Sequence, residues 1–235
     1  MIFKNQMSFF CLFFLLCGVA NANVVMTGTR VIFPSESKEK IIQFTNTDAQ
    51  PYLMQVQITN KDGKENKQSP FVFVPPVFRI EGHSGQSVRL IANGTQKLPQ
   101  DRESVFYLNF TQLPVMKQGE QANNQLILAI SNRVKIFYRP TQITKAKEEP
   151  YKEIVFSLSG DKIIVDNRSP YYINIRNAEL VNSRRSASIA SSVMLEPKSV
   201  AQWKMPSKIS TLSGSIIKLT MVNDYGADVI SERKL

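Results

Sequence analysis

The sequence predicts an all-β chain folded as two β-sandwich domains. Three observations carry that expectation. Short apolar-rich segments, bounded by Gly, Pro, Asn, Asp and Ser, recur from Val24 to the C-terminus. No segment of useful length shows a helical period. One polar, charged stretch, TQITKAKEEP at residues 141–150, divides the series into a longer and a shorter part.

The first residues belong to neither domain. Lys4 precedes a largely apolar run of 14 residues, 7–20, too short to span a bilayer comfortably. Ala20-Asn21-Ala22 then supplies an A-x-A cleavage pattern, so residues 1–22 read as a secretory signal peptide and Asn23 as the mature start. A lipoprotein signal at Cys17 fits poorly, because bulky Leu16 stands where a small residue is favoured. Cleavage removes Cys11, Cys17, one Lys and no acid, so the net charge falls from +10 to +9. A mature chain without cysteine has to be held by packing alone. No later segment reaches 18 apolar residues, so no stable membrane insertion is expected. Cleavage pattern, missing disulfides and a basic surface together suggest a bacterial envelope compartment.

The elements follow in order. Residues 24–26, 29–33, 41–45 and 53–58 read as strands, separated by Pro34-Ser35, Asn46-Thr47-Asp48 and Asn60-Lys61-Asp62-Gly63. In the last of them Leu53, Gln55 and Gln57 alternate with Met54, Val56 and Ile58, which gives one wet and one buried face. Residues 71–74 run into Pro75-Pro76, and 87–91, 105–110 and the long 126–138 complete the set. Seven or more short strands in about 115 residues suit an immunoglobulin-like sandwich. The first domain is assigned to residues 23–140, the linker to 141–150 and a smaller β-sandwich to 151–235. The smaller domain takes strands at 154–158, 162–165, 171–175, 193–195, 200–203 and 215–222.

Composition removes several function classes. The 29 Lys+Arg against 19 Asp+Glu raise nucleic acid as a partner. No basic helix, zinc spacing or aromatic–basic motif supports it, and export argues against it. His83 is the single histidine, which rules out multi-His metal sites and leaves no supported Ser-His-Asp arrangement. We expect no catalytic residue, no metal and no cofactor.

The long strand, 124–139, is the most informative stretch. One face carries Leu126, Leu128, Ile130, Asn132 and Val134; the other carries Ile127, Ala129, Ser131, Arg133 and Lys135. Its first half is apolar on both faces, so both want burial. A strand inside a two-sheet sandwich meets that demand within its own protein. An edge strand instead lends Leu126, Leu128 and Ile130 to a partner, and keeping such an edge implies use.

Five segments carry a resemblance. They are TGTRVIFP with Arg30, SPFVFVPPVFRIEGHSGQSVRLI, LPQDRESVFYLNF at 98–110, NRVKIFYRP at 132–140 and NDYGADV at 223–229. Together they resemble the periplasmic pilus-assembly chaperones of the PapD-like family, over essentially the whole mature chain. The resemblance implies two immunoglobulin-like domains set at an angle with a cleft between them. It implies that Arg30 and Lys135 anchor the C-terminal carboxylate of a pilin, and that Leu126, Leu128 and Ile130 are donor residues for a pilin lacking its last strand. It implies that Glu103, Arg139 and Asp224 form an inter-domain salt-bridge cluster. It also implies a periplasmic, non-enzymatic role: chaperoning pilin subunits by donor-strand complementation, preventing their aggregation and delivering them to an outer-membrane usher. The exposed edge invites self-capping by two free copies. Three features depart from the family: the mature chain cannot form the second-domain disulfide of some relatives, Phe110 stands where an aliphatic residue is usual, and the short connection from Pro114 to Leu126 resembles the subclass serving thick rod-like pili. A different class of reading is a structural surface protein, a pilin or two-domain adhesin; an exported enzyme is weaker still, for want of a carboxylate pair or metal cluster.

Overall fold

Period-two burial builds the first domain. In β4 (Tyr52–Thr59) Met54, Val56 and Ile58 are buried while Leu53 and Gln55 are exposed, the alternation the sequence predicts. The computed structural model describes residues 24–115, 126–144, 149–182, 185–207 and 211–235; the expected signal peptide lies outside them. One sheet of this domain orders β1 (Val24–Met26), β3 (Glu39–Asn46), β7 (Gly85–Ala92) and β5 (Phe71–Val74). The other orders β2 (Arg30–Pro34), β9 (Ile130–Arg139), β8 (Ser104–Pro114), β4 and β6 (Val77–Ile80). Consecutive β1 and β2 sit in opposite sheets, so the start of the chain closes both. Between them lie Phe33, Phe44, Met54, Leu90, Leu108 and Ile136, all fully buried. Each such side chain contributes roughly 1.5–3 kcal/mol of gross burial. Phe110 is buried in the same core, edge-on to Phe44 at 5.2 Å between ring centroids.

The second domain has its own core around Ile163, Ile175, Leu180 and Ile217. Its sheets order β10 (Ile154–Ser159), β11 (Lys162–Asn167) and β14 (Ser199–Lys204), and β13 (Arg185–Leu195), β12 (Ile173–Asn182), β15 (Ile216–Val222) and β16 (Asp228–Lys234). Most of β13, all of β16 and β6 go beyond the sequence expectation. In β13 a run of Ser and Ala hides the alternation. Among the described residues β16 is paired on one side only, with β15, and needs little apolar content. The polar linker holds a short helix, α1 (Thr141–Thr144), and a 3-10 turn at Pro150–Glu153. Ile143 of α1 is buried, and its carbonyl accepts a hydrogen bond from the Tyr171 hydroxyl.

The strand expected over 124–139 is shorter than the sequence suggests. Residues 124 and 125 lie outside the described residues, and the observed strand starts at Ile130. The reason is pairing. The ladder with β8 ends at Gln112 opposite Ile130, and β2 covers only Lys135 to Arg139. Residues 126–129 therefore run on beyond both ladders of β9, outside any strand.

Candidate functional site

The two expected cations occupy one ladder step. β2 runs parallel to β9 with Arg30 opposite Lys135. Even-numbered Ile136 and Tyr138 of β9 enter the first core. Odd-numbered residues therefore face the second domain: Phe137 packs against Tyr172 at 5.8 Å between centroids, and Lys135 reaches Asn174. Lys135 Nζ donates to Asn174 Oδ1 at 2.7 Å, and Arg30 Nη1 donates to the Val222 carbonyl at 3.0 Å. Both acceptors are uncharged and both come from the second domain. Among the described residues neither cation forms an ion pair, and Arg30 Nε is buried without a hydrogen-bond partner. Burial lowers the pKa of Arg30, with Asp224 and Glu103 pulling it back up. Burial also lowers that of Lys135, and the neighbouring Arg30 charge lowers it further. Two like charges, partly stripped of water and facing neutral acceptors, form a site that favours an incoming anion.

The acids that could quench this site are held elsewhere. Arg139, on the same odd face, donates through Nε to Glu103 Oε1 at 2.9 Å, with Nη2 in ion-pair contact 2.8 Å from the same oxygen. It also clasps Asp224 with Nη1 to Oδ2 at 2.6 Å and Nη2 to Oδ1 at 3.0 Å. Glu103 Oε2 accepts the Tyr172 amide at 2.9 Å. Burial raises the Glu103 pKa, with Arg139 and the Tyr172 N–H opposing it. Burial works against the Arg139 charge too, but its bonds to Asp224 and the field of Glu103 outweigh that and raise its pKa. The expected cluster of Glu103, Arg139 and Asp224 thus bridges the two domains, Glu103 and Arg139 from the first and Asp224 from the second.

Further contacts fasten the domains. Lys198 pairs with Asp101 at 2.5 Å, and Thr141 bonds Ser35 at 2.7 Å where the linker starts. The turn after β15 presses on the first domain at Gly226. There φ is +85°, and a Cβ would lie 2.3 Å from Thr29 Oγ1, so glycine is required twice over. Between the domains lies a cavity of about 590 Å³, walled by Arg30, Phe137, Tyr172, Asn174, Arg139 and Asp224 among others. Tyr171, buried, and Tyr172 both line this cavity.

The expected donor residues are on the surface. Leu126 is 85% exposed, Leu128 64% and Ile130 43%. Ile130 is on the even face that Val134, Ile136 and Tyr138 carry into the core. The apolar stripe thus continues past the point where the domain's own core ends. Along 130–134, no described strand lies on the side of β9 away from β8. The alternative, burial of this stretch in its own sandwich, is not what the structure shows.

Sequence reasoning missed Asn174, the Val222 carbonyl and the Thr29–Gly226 contact. Asn174 had a signal: it stands between apolar Ile173 and Ile175, so period two turns it outward from the second core. Nothing local says that the outward face meets Lys135, a contact made across 39 residues.

Comparisons with known proteins span both domains. Residues 23–144 match the family "Pili and flagellar-assembly chaperone, PapD N-terminal domain", and residues 149–233 match "Pili assembly chaperone PapD, C-terminal domain". Chaperone protein HifB of Haemophilus influenzae is 38% identical over 97% of this chain and 95% of its own length. Chaperone protein FimC of Escherichia coli (strain K12) is 31% identical over 95% of this chain and 92% of its own. The crystal structure of the YadV chaperone superposes with a TM-score of 0.78 at 28% identity, covering 91% of this chain and 100% of that one.

Proposed function

We propose, for a chain that belongs to the PapD-like family of pilus-assembly chaperones, that it captures pilin subunits by lending them the open edge of β9 and gripping their C-terminal carboxylate between Arg30 and Lys135. Family membership makes the chain a fimbrial chaperone and not an enzyme, which sets aside the readings as a pilin, adhesin or exported catalyst.

The observation that carries the proposal is a pairing of features on one strand. Leu126, Leu128 and Ile130 are exposed beside an unpaired backbone edge, and five residues after Ile130 stands Lys135 with Arg30 beside it. A partner strand pairs with the edge through its main chain and receives the side chains in its open groove. The gross burial is roughly 1.5–3 kcal/mol per side chain. Charge-assisted bonds to the carboxylate contribute roughly 1.5–3 kcal/mol each. Apolar filling therefore supplies much of the affinity, while the anchor fixes register, since a one-residue slip exchanges Leu128 for Ile127 or Ala129.

Protection of a pilin from aggregation follows from covering its groove. Entry to the periplasm through a cleaved signal at 1–22 and transfer of the client to an outer-membrane usher complete the role, and two free copies cap one another's edge between clients. The test is co-expression with a cognate pilin and affinity purification. Arg30→Ala and Lys135→Ala each abolish pilin recovery while the chaperone stays folded by circular dichroism. Normal recovery with either variant overturns the anchor.

A further inference from the structure

The anion site has a third donor. We propose that Asn174 completes the carboxylate site, its Oδ1 holding the Lys135 ammonium in place and its Nδ2 donating to the same carboxylate that Arg30 and Lys135 bind. The inference deepens the anchor reading above and rests on it.

Asn174 is 7% exposed, and its one side-chain hydrogen bond among the described residues is the 2.7 Å bond from Lys135 Nζ to Oδ1. An ammonium has only hydrogens to offer, so the amide must turn its oxygen to Lys135. That fixes the other end of the group: Nδ2, with two N–H donors and no partner, is directed away from Lys135 within the cleft. Nδ2 still meets water in the cleft, so a bound carboxylate replaces that water with a charged acceptor. The groups around it agree in sign. Lys135 retains two N–H bonds, Arg30 Nε is buried and unpaired, and Arg139 holds Glu103 and Asp224. The three carboxylates that line the cavity are engaged elsewhere, Glu103 and Asp224 by Arg139 and Glu149 by Lys152. Arg30 and Asn174 line the same cavity, and Lys135 adjoins it through Asn174.

Asn174 also ties anchoring to domain arrangement. Lys135 stands on the first domain and Asn174 on the second, so the site is assembled only where Arg139, Gly226 and Lys198 hold the two in place.

The test uses the full mature chain and two synthetic peptides of one alternating apolar sequence, one ending in a free carboxylate and the other in a C-terminal amide. Titration calorimetry gives the ratio of their affinities. Wild type prefers the acid. Asn174→Ala lowers that preference about tenfold, the worth of one charge-assisted hydrogen bond, and leaves the amide peptide unaffected. Asn174→Asp, equal in shape, engages Lys135 as an ion pair and abolishes the preference while amide binding persists. A variant that weakens both peptides equally, or neither, overturns the role of Asn174. If Arg30→Ala and Lys135→Ala erase the preference and neither Asn174 variant changes it, the anchor stands and this inference falls. A wild type that binds acid and amide alike removes both.

Discussion

Replacing Arg139 by methionine tests how the cleft is held. The wild-type guanidinium makes one hydrogen bond to Glu103 Oε1 at 2.9 Å, has Nη2 in ion-pair contact with the same oxygen at 2.8 Å, and makes two bonds to Asp224, at 2.6 and 3.0 Å. The two acids respond differently to its loss. The Asp224 side chain is 47% exposed and rehydrates, so that half of the cluster is worth about 1 kcal/mol or less. The Glu103 side chain is only 2% exposed and keeps a single donor, the Tyr172 amide. Removing one partner of such a buried pair costs about 3–5 kcal/mol, because a charge is left uncompensated. R139M should therefore lose about that much, nearly all of it through Glu103. Changing Glu103 to glutamine as well removes the stranded charge, and the double variant should lose only about 1–2 kcal/mol.

Urea unfolding at pH 7, followed by circular dichroism and Trp203 fluorescence, gives these differences wherever the two probes coincide. The pH dependence provides a second check. Burial already raises the Glu103 pKa, and losing Arg139 removes the chief opposing influence. Between the ordinary carboxylate value and the raised one, the folded state then binds more protons than the unfolded state. Stability falls as pH rises through that window, so acidification favours the fold through this group. The R139M deficit should shrink as pH drops from about 7 to about 5, and the double variant should show no such narrowing. An R139M loss under about 1 kcal/mol, or a deficit independent of pH, refutes the reasoning.

Two further outcomes follow from the same geometry. Leu128→Glu should leave stability within about 0.5 kcal/mol of wild type, because the side chain is 64% exposed, yet fail to protect a pilin from periplasmic degradation; survival of the pilin at wild-type levels counts against the donor face. Gly226→Ala should destabilise by more than about 1 kcal/mol, combining a residue at φ +85° with a clash on Thr29, and Thr29→Ala should recover part of the loss in a thermal melt.

Much of the fold is written in the strands themselves, because period two reports burial directly. Met54, Val56 and Ile58 could be assigned to the core from spacing alone. β16 escaped notice because an edge strand of pattern DVISERK has one sheltered side and little apolar demand. The site divides in the same way. Arg30, Lys135, Glu103, Arg139 and Asp224 were found through resemblance, since nothing in their local sequence separates a cleft cation from a solvated strand charge. Their juxtaposition is set by the parallel pairing of β2 with β9 and by a domain contact 85 residues apart in sequence. Asn174 depends wholly on that second kind of information. The start of β9 was overextended because an apolar run reads as a strand, whereas a strand also needs a neighbour.

Residue parity along β9 links the two halves of the proposed mechanism. Ile130 and Val134 belong to the even face, Lys135 to the odd, so the route from groove to anchor crosses from one face to the other within five residues. A client tail is thereby constrained in two ways at once. Lengthening it by one residue shifts a bound strand by about 3.3 Å and turns every inserted side chain to the opposite face. Lengthening it by two keeps the faces but carries the carboxylate about 7 Å beyond Arg30 and Lys135. Neither extension can satisfy groove and anchor together while β9 stays paired with β8. An acid-terminated peptide carrying one added C-terminal residue should therefore bind at least tenfold more weakly, a loss of about 1.4 kcal/mol or more. With two added residues it should fall to the affinity of the amide-terminated form, having kept its side-chain contacts and lost its anchor. Equal affinity across the series means that the tail slides freely and the cations do not set register; the apolar edge alone then accounts for capture.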